Sequence, residues 1–330
     1  MGMKITVLSG GIGGARFIEG LLAACSPQDQ ITVIANTADD IWLFGLKICP
    51  DLDTLMYTLG GGIDVERRWG RIDESWNARD ELAAYGVEPT WFGLGDKDLA
   101  THLVRTQMLQ AGYSLSDITK ALCQRWQPGV EMLPMSDDRI ETHVVIDDPA
   151  AESGQRAIHF QEYWVRLRAS APVRDVVVVG IDQAAPAPGV VQALTSADLV
   201  MLPPSNPIVS IGTIVGVPGV QGAIATTDAP VVGVSPIVGG SAVRGMADQL
   251  LTGLGIEVSA SAVARHYGSR KSGGLLDGWL IDSGDAAELG AVRDAGIAAR
   301  AVPLMMTDTE TTRTLAEQTL AFAGELSSGA

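Results

Sequence analysis

The stretch Lys4-Ile5-Thr6-Val7-Leu8-Ser9-Gly10-Gly11-Ile12-Gly13-Gly14-Ala15-Arg16-Phe17 decides the fold. A β-branched run leads into four glycines within five residues, and a helix-forming stretch follows. Glycine permits a sharp turn and a close approach of backbone to ligand, because no Cβ intervenes. The N–H groups at the start of the next helix point back at the turn and favour an anion there. The segment reads as strand, phosphate-binding turn and helix, with Gly10, Gly11, Gly13, Gly14 and Arg16 as substrate contacts. Two familiar versions are excluded. A Walker loop needs Lys and Ser/Thr after its last glycine, where Ala15 and Arg16 stand. The dinucleotide fingerprint needs its third glycine at the position of Arg16.

Outward from this turn, short apolar runs alternate with helical stretches. Lys4–Leu8, Ile31–Ala35, Val176–Gly180, Leu199–Leu202 and Val231–Val234 are expected strands. They lack period-two alternation, as strands buried on both faces of a parallel sheet do. Arg16–Ala24, Leu52–Leu59, Gly189–Thr195, Gly240–Leu254 and Thr309–Ala323 are expected helices. The expected fold is α/β, Rossmann-like and doubly wound, with a mainly parallel sheet and a large mixed α+β insertion. Residues 1–62 and 172–330 would form the nucleotide-binding core. Residues 63–171 would form the insertion, with helices at Glu74–Tyr85, Asp98–Ala111 and Leu115–Trp126. Strands are expected after them at Thr142–Ile146 and Ala157–Trp164, separated by Asp147-Asp148-Pro149. Six of the seven tryptophans lie between Trp42 and Trp164, which suits a cover for the ligand edge of the sheet.

Composition narrows the partners. With 39 acidic against 23 basic residues the net charge is −16, and nucleic acid and anionic membrane are poor partners for such a chain. Three dispersed cysteines, Cys25, Cys49 and Cys123, exclude a disulfide framework and a clustered zinc site. No apolar run is long enough to serve as a signal peptide or to span a membrane, so a cytoplasmic protein is expected.

The second expected strand ends in Asn36-Thr37-Ala38-Asp39-Asp40, and Cys49-Pro50-Asp51-Leu52-Asp53-Thr54 follows soon after. Open α/β sheets bind ligands at the C-terminal ends of their strands, which is where these carboxylates fall. Asp51 and Asp53 stand in the first turn of a helix, where capping alone accounts for Asp51 at least as well as a ligand role. A carboxylate about 4 Å from a phosphate charge repels it by roughly 4 kcal/mol at an effective dielectric near 20. Carboxylates and a phosphate site on one edge therefore call for a cation between them. Oxygen ligands suit Mg²⁺, with Asp39, Asp40 and Asp53 as its expected holders and Asn36 beside the substrate. Two more strand-to-loop units supply substrate contacts at Ser205, Asn206 and Ser210, and at Ser235, Pro236 and Gly240. Each alone is ordinary turn chemistry, and together they favour a nucleotide site. In the insertion, Asp98, His102 and Arg105 fall on one helix face, with Lys97 beside them. Lys97 and Arg105 would meet phosphate and His102 would donate a hydrogen bond; a salt-bridged, solvated helix face explains the same spacing equally well.

These segments, taken in order, resemble one family, the deazaflavin phosphotransferases that build coenzyme F420. The matching stretches are Ser9–Gly14, Cys49–Thr54, Leu94–His102, His159–Glu162, Ser205–Gly212 and Ser235–Ile237. The resemblance implies an enzyme that moves a substituted phosphate group from a guanosine diphosphate-linked three-carbon acid to the ribityl hydroxyl of the deazaflavin Fo, releasing GMP. It implies Mg²⁺, a homodimer, and Asp53, His102 and Arg105 as catalytic residues. Gly13-Gly14-Ala15-Arg16 looks closest to the actinobacterial branch, whose donor carries phosphoenolpyruvate and whose product is dehydro coenzyme F420-0; a lactyl donor giving coenzyme F420-0 is the alternative. A regulatory protein of the gluconeogenesis-factor type, which binds nucleotide sugars, is the rival of another class. A nicotinamide-dependent dehydrogenase is disfavoured, because strand two ends in Asn36 rather than an acid.

Overall fold

The computed structural model describes residues 2–328. β1 (Lys4–Ser9) passes through the glycine turn into α1 (Gly11–Ala24) and returns as β2 (Gln30–Ala35). A small hairpin, β3 (Ile41–Leu43) and β4 (Leu46–Ile48), precedes α2 (Pro50–Leu59). Then come α3 (Asn77–Ala84), α4 (Asp96–Gln110), α5 (Leu115–Trp126), β5 (Glu131–Pro134), β6 (Glu141–Asp147), β7 (Gln155–His159) and β8 (Val173–Val179). The chain continues through α6 (Val190–Thr195), β9 (Leu199–Leu202), α7 (Gly212–Gly216), α8 (Val220–Thr226) and β10 (Val231–Val234). A second hairpin, β11 (Ile237–Val238) and β12 (Ser241–Ala242), leads to α9 (Ala247–Gly253) and α10 (Ala260–Tyr267). β13 (Gly278–Asp282), α11 (Leu289–Asp294), β14 (Ala298–Val302) and α12 (Thr309–Ser328) complete the described chain.

Seven strands form the central sheet in the order β14-β13-β10-β9-β1-β2-β5. Every neighbouring pair in it is parallel. The expected doubly wound α/β architecture is therefore present. Alternate strand residues feed two separate cores. Ile5, Val7, Val33 and Val232 pack with Phe17 and Leu21 of α1, Leu55 of α2 and Leu315 of α12. Leu8, Ile34 and Val231 pack with Val190 of α6, Ile214 of α7, Ile224 of α8 and Val263 of α10. Both faces are covered, which is why the strands read as continuous apolar runs. The winding direction reverses between β1 and β9, and such a switch point opens a crevice at the C-terminal ends of the strands.

The topology redraws the expected boundaries. β5, from the stretch assigned to the insertion, pairs with β2 at the edge of the central sheet. The expected strand at Val176–Gly180 lies instead in β8, which pairs antiparallel with β6 in a separate three-stranded sheet, β7-β6-β8. An apolar run states that a strand is buried but not which sheet receives it. The expected strand Ala157–Trp164 stops at His159, and Glu162–Arg166 forms a π-helical turn that drives Tyr163 into the small core with Val144, Ile158 and Phe160. The expected helix Gly240–Leu254 shrinks to Ala247–Gly253, because Gly239 (φ +59°) and Gly240 (φ +75°) make the tight turn of the β11–β12 hairpin. β13 and β14 were not anticipated; Ala298-Ala299-Arg300-Ala301-Val302 has little β-branched character.

Trp279 of β13 tests the second core. Its ring is fully buried, and its Nε1–H donates to the Ala260 carbonyl at 3.0 Å. Trp279→Phe strands that carbonyl and leaves a void, so urea unfolding should show a loss of about 1–3 kcal/mol.

Candidate active site

The glycine turn and the loop after β9 meet at the switch point. The Ser205 hydroxyl donates to the Gly10 carbonyl at 2.9 Å and accepts from the Gly10 N–H at 3.4 Å. The glycines are required largely by this loop-to-loop contact. A Cβ on Gly10 would lie 2.4 Å from Asp51 Oδ2, one on Gly13 2.4 Å from the Pro204 carbonyl oxygen, and one on Gly14 2.0 Å from Ser9 Oγ. Gly11 is the exception: its neighbourhood is open, but its φ of +67° favours glycine. The Gly11 N–H bonds Asp51, so two N–H groups of the turn serve the protein itself.

Behind the turn stands a buried wall of carboxylates. Asn36 donates to Asp51 Oδ2 at 2.9 Å, while its own Oδ1 accepts from Thr213 Oγ1 at 2.8 Å and the Ala38 N–H at 3.0 Å. Asn36 is thus a hub that orients Asp51. Burial lifts the Asp51 carboxyl to about 6, against the lowering effect of the Asn36 and Gly11 bonds. Asp39 is buried as well, and burial followed by the nearby Asp51 pushes its carboxyl well above the usual range. Asp40 is held by Lys47 Nζ at 3.0 Å and by the Cys49 thiol at 3.0 Å. Burial lowers the proton affinity of Lys47, but Asp40 outweighs it and leaves the ammonium charged.

The α4 face is buried rather than solvated. Arg105 is 1% exposed and pairs with Asp53, and its Nη1 lies 3.1 Å from His102 Nδ1. Burial opposes the Arg105 charge, and Asp53 more than restores it. His102 stands 3.7 Å from Asp53 and 3.3 Å from Asp98, which also accepts from the Tyr57 hydroxyl at 2.7 Å. Burial raises Asp98, but the His102 and Tyr57 contacts outweigh it and hold the carboxyl low. Asp53, Asp98 and His102 form a buried group able to hold a metal ion, with ligand atoms within 4.8 Å of one another. Asp39 and Asp40 are not in that group; they stand by Asp51 and Lys47.

Other expected contacts sit elsewhere. Lys97 is exposed, and its Nζ donates to the Ile72 carbonyl at 2.9 Å, away from His102 and Arg105. Asn206 caps its own turn, accepting from the Ile208 N–H at 2.9 Å and the Val209 N–H at 3.2 Å. Ser235 closes the turn through the Ile237 carbonyl at 2.9 Å, and the Pro236 carbonyl accepts from the Val243 N–H at 3.2 Å. Gly240 turns the hairpin. Ser210 is buried beside Gly10, and Arg16 is half-buried on α1.

A chain with this site has relatives over its whole length. Residues 5–318 match the model of the family described as 2-phospho-L-lactate transferase CofD. The chain belongs to the CofD family. It is 60% identical to the phosphoenolpyruvate transferase of Kitasatospora aureofaciens, covering 99% of this chain and 100% of that protein. It is 62% identical to the phosphoenolpyruvate transferase of Streptomyces griseus and 56% to that of Mycolicibacterium smegmatis, in both cases over 98% of this chain and 99% of the relative. The fold is shared with protein BH3568 of Bacillus halodurans, at a TM-score of 0.64 and 16% identity over 97% of this chain and 100% of that one.

Lys47 was not among the expected site residues, and His159 and Gln161 entered only within the matching stretch His159–Glu162, without a site role. Lys47 had one signal, a lone cation between Leu46 and Ile48. His159 and Gln161 hold the approach to the carboxylates by their backbone: His159 Nε2 lies 3.2 Å from the Asp40 carbonyl oxygen, and Gln161 Nε2 donates to the Asp39 carbonyl at 3.3 Å. Nothing in the spacing of residues more than a hundred positions apart announces such contacts.

The Asp53–Arg105 pair is buried on both sides, so removing one partner strands a charge. Asp53→Asn should cost about 3–5 kcal/mol in urea unfolding. Adding Arg105→Met should recover part of that loss. A cost below about 1 kcal/mol for Asp53→Asn would mean that water solvates the pair.

Proposed function

We propose that this CofD-family transferase moves the phosphoenolpyruvyl group of enolpyruvyl-2-diphospho-5′-guanosine to the ribityl hydroxyl of Fo (7,8-didemethyl-8-hydroxy-5-deazariboflavin). The products are dehydro coenzyme F420-0 and GMP. The observation that carries the reading is the set of buried carboxylates with unpartnered oxygens beside the switch-point turn: Asp39 Oδ1, Asp40 Oδ1 and Asp53 Oδ2. Its support is the full-length likeness to phosphoenolpyruvate transferases. Buried carboxylate oxygens with no donor suit a divalent cation. Asp39, Asp40 and Asp53 are proposed to share Mg²⁺ with substrate oxygens between them, since their own ligand atoms do not all lie within 4.8 Å of one another. The Asp53–Asp98–His102 group fits Mg²⁺ less well, since it brings an imidazole and adjoins the Arg105 guanidinium. Bound there, Mg²⁺ would neutralise charge on the transferring phosphoryl group.

The chain's own residues supply position. In this reading the nucleotide lies across the loops at Gly10–Gly14, Ser205–Ser210 and Ser235–Gly240. The Fo hydroxyl oxygen attacks the phosphorus that carries the three-carbon acid, and the bond from that phosphorus to the GMP oxygen breaks. The hydroxyl proton needs a base. Asp51, lifted by burial to about 6, has an affinity suited to taking it near neutral pH. Arg105 is a positioning residue: fully buried, it fixes the Asp53 carboxylate. Exposed Trp42, Trp69 and Trp164 offer stacking faces for the planar acceptor on the insertion side. The enzyme is proposed to act as a cytoplasmic homodimer, and among the described residues no single helix is long and apolar enough to cross a membrane.

Mass analysis of the product tests the reading. Purified protein with Fo, Mg²⁺ and the enolpyruvyl donor should yield dehydro coenzyme F420-0, and chelation of the cation should stop turnover. Faster formation of the lactyl product from the lactyl donor would reassign the donor. Tight binding of a nucleotide sugar with no product from either donor would favour the regulatory rival.

A further inference from the structure

Three guanidiniums stand near the switch-point edge without an ion pair, with the single carboxylate of Glu19 close to two of them. Arg16 stands on α1 just beyond the glycine turn, Arg68 in the loop after α2, and Arg244 in the loop after β12. Among the described residues none of the three forms an ion pair, although the chain carries 39 acidic groups and most of its other arginines have found one. They come together by construction. Arg244 Nη2 donates to the Arg67 carbonyl at 3.1 Å, across 177 residues of sequence, which seats its loop against the Arg68 turn. That turn is braced: Arg67 pairs with Asp64 at 2.8 Å and stacks between Trp69 and Trp76, 5.3 and 5.2 Å from their ring centres. Arg68 itself is held at φ +64°, with its N–H on the Asp64 carbonyl at 2.7 Å. A left-handed backbone at a bulky residue is strain, and strain gathers where function fixes a side chain.

The charges sense one another. Burial first, and then Arg68, lowers the proton affinity of both Arg16 and Arg244. Glu19 acts on Arg16 and Arg68, and Asp308 on Arg16, without forming an ion pair. Glu19 offsets one of these three charges, and the excess positive charge repels itself unless an anion joins it. The proposed nucleotide site lacks positive charge of its own, because the Gly10 and Gly11 N–H groups already serve Ser205 and Asp51, and Lys47 and Arg105 already serve Asp40 and Asp53.

We infer that Arg16, Arg68 and Arg244 form one receptor for a phosphate-class oxyanion, the diphosphate of the guanosine-linked donor. This deepens the proposed function and rests on it for the identity of the ligand. Guanidinium forks suit phosphate because they present paired donors in one plane. The receptor draws on the glycine-turn helix, the insertion and the loop after the β11–β12 hairpin together, so the nucleotide would bridge core and insertion.

Calorimetry at fixed salt and Mg²⁺ tests the receptor, using GDP, guanosine and inorganic pyrophosphate as probes. Arg68→Gln and Arg244→Gln should each weaken GDP and pyrophosphate on the order of tenfold or more, with guanosine unchanged and the thermal midpoint kept. Arg244→Lys, which keeps charge but loses the fork, should fall between. GDP and pyrophosphate affinities within twofold of the parent in both glutamine variants would overturn the receptor while leaving the nucleotide reading intact. A parent that binds pyrophosphate through these arginines but ignores GDP would keep the receptor and overturn that reading. A parent that binds neither overturns both.

Discussion

Buried negative charge is the constraint on which the rest of the site depends. Asp39, Asp40, Asp51 and Asp53 are all buried at one edge of the sheet. A carboxylate in such a place stays charged only beside a cation or several donors, and otherwise takes up a proton. The protein uses both solutions. Lys47 and Arg105 pair with Asp40 and Asp53, although burial still raises the Asp53 carboxyl above its usual range. Asp39 and Asp51 have no cation of their own, and their proton affinities rise. An incoming cation would displace those protons, which suits the proposed transfer of a substituted phosphate group.

The supporting structure follows from the need to hold these groups still. The β3–β4 hairpin carries Lys47, whose N–H bonds Thr106 of α4 at 2.9 Å and whose carbonyl receives Arg105 at 3.4 Å. α4 returns Arg105 to Asp53 on α2 and His102 to Asp98. The insertion sheet grips the Asp39 and Asp40 backbone through Gln161 and His159. The insertion is thus one side of a clamp whose other side is the central sheet, and strands cross the expected boundary in both directions.

Much of this was legible in the sequence, for a physical reason. Burial on both faces writes itself as continuous apolar runs, so β1, β2, β9 and β10 could be read directly. The helical spacing that put Asp98, His102 and Arg105 on one face was equally plain, but spacing states adjacency and not exposure. A solvated salt bridge and a fully buried one look the same along the chain. β5 and β14 hid because an edge strand needs fewer apolar residues. Lys97 was misplaced because a neighbour of Asp98 in sequence points about 100° away around the helix.

The glycine turn carries the sharpest lesson about reading motifs. Four glycines after a strand suggest an anion nest, because both need a backbone free of Cβ atoms. Yet a Cβ at Gly10, Gly13 or Gly14 would strike another loop of this protein rather than open space. The turn is small so that the loops after β1 and β9 can touch, through Ser205 and the Pro204 carbonyl. Closing the switch point this tightly brings the Asp51 wall, the α1 N-terminus and Arg16 to one place. Glycine here acts through what it allows its neighbours to approach. The charge that recognises a ligand then has to come from side chains, and the unpaired arginines at the rim are where such charge remains.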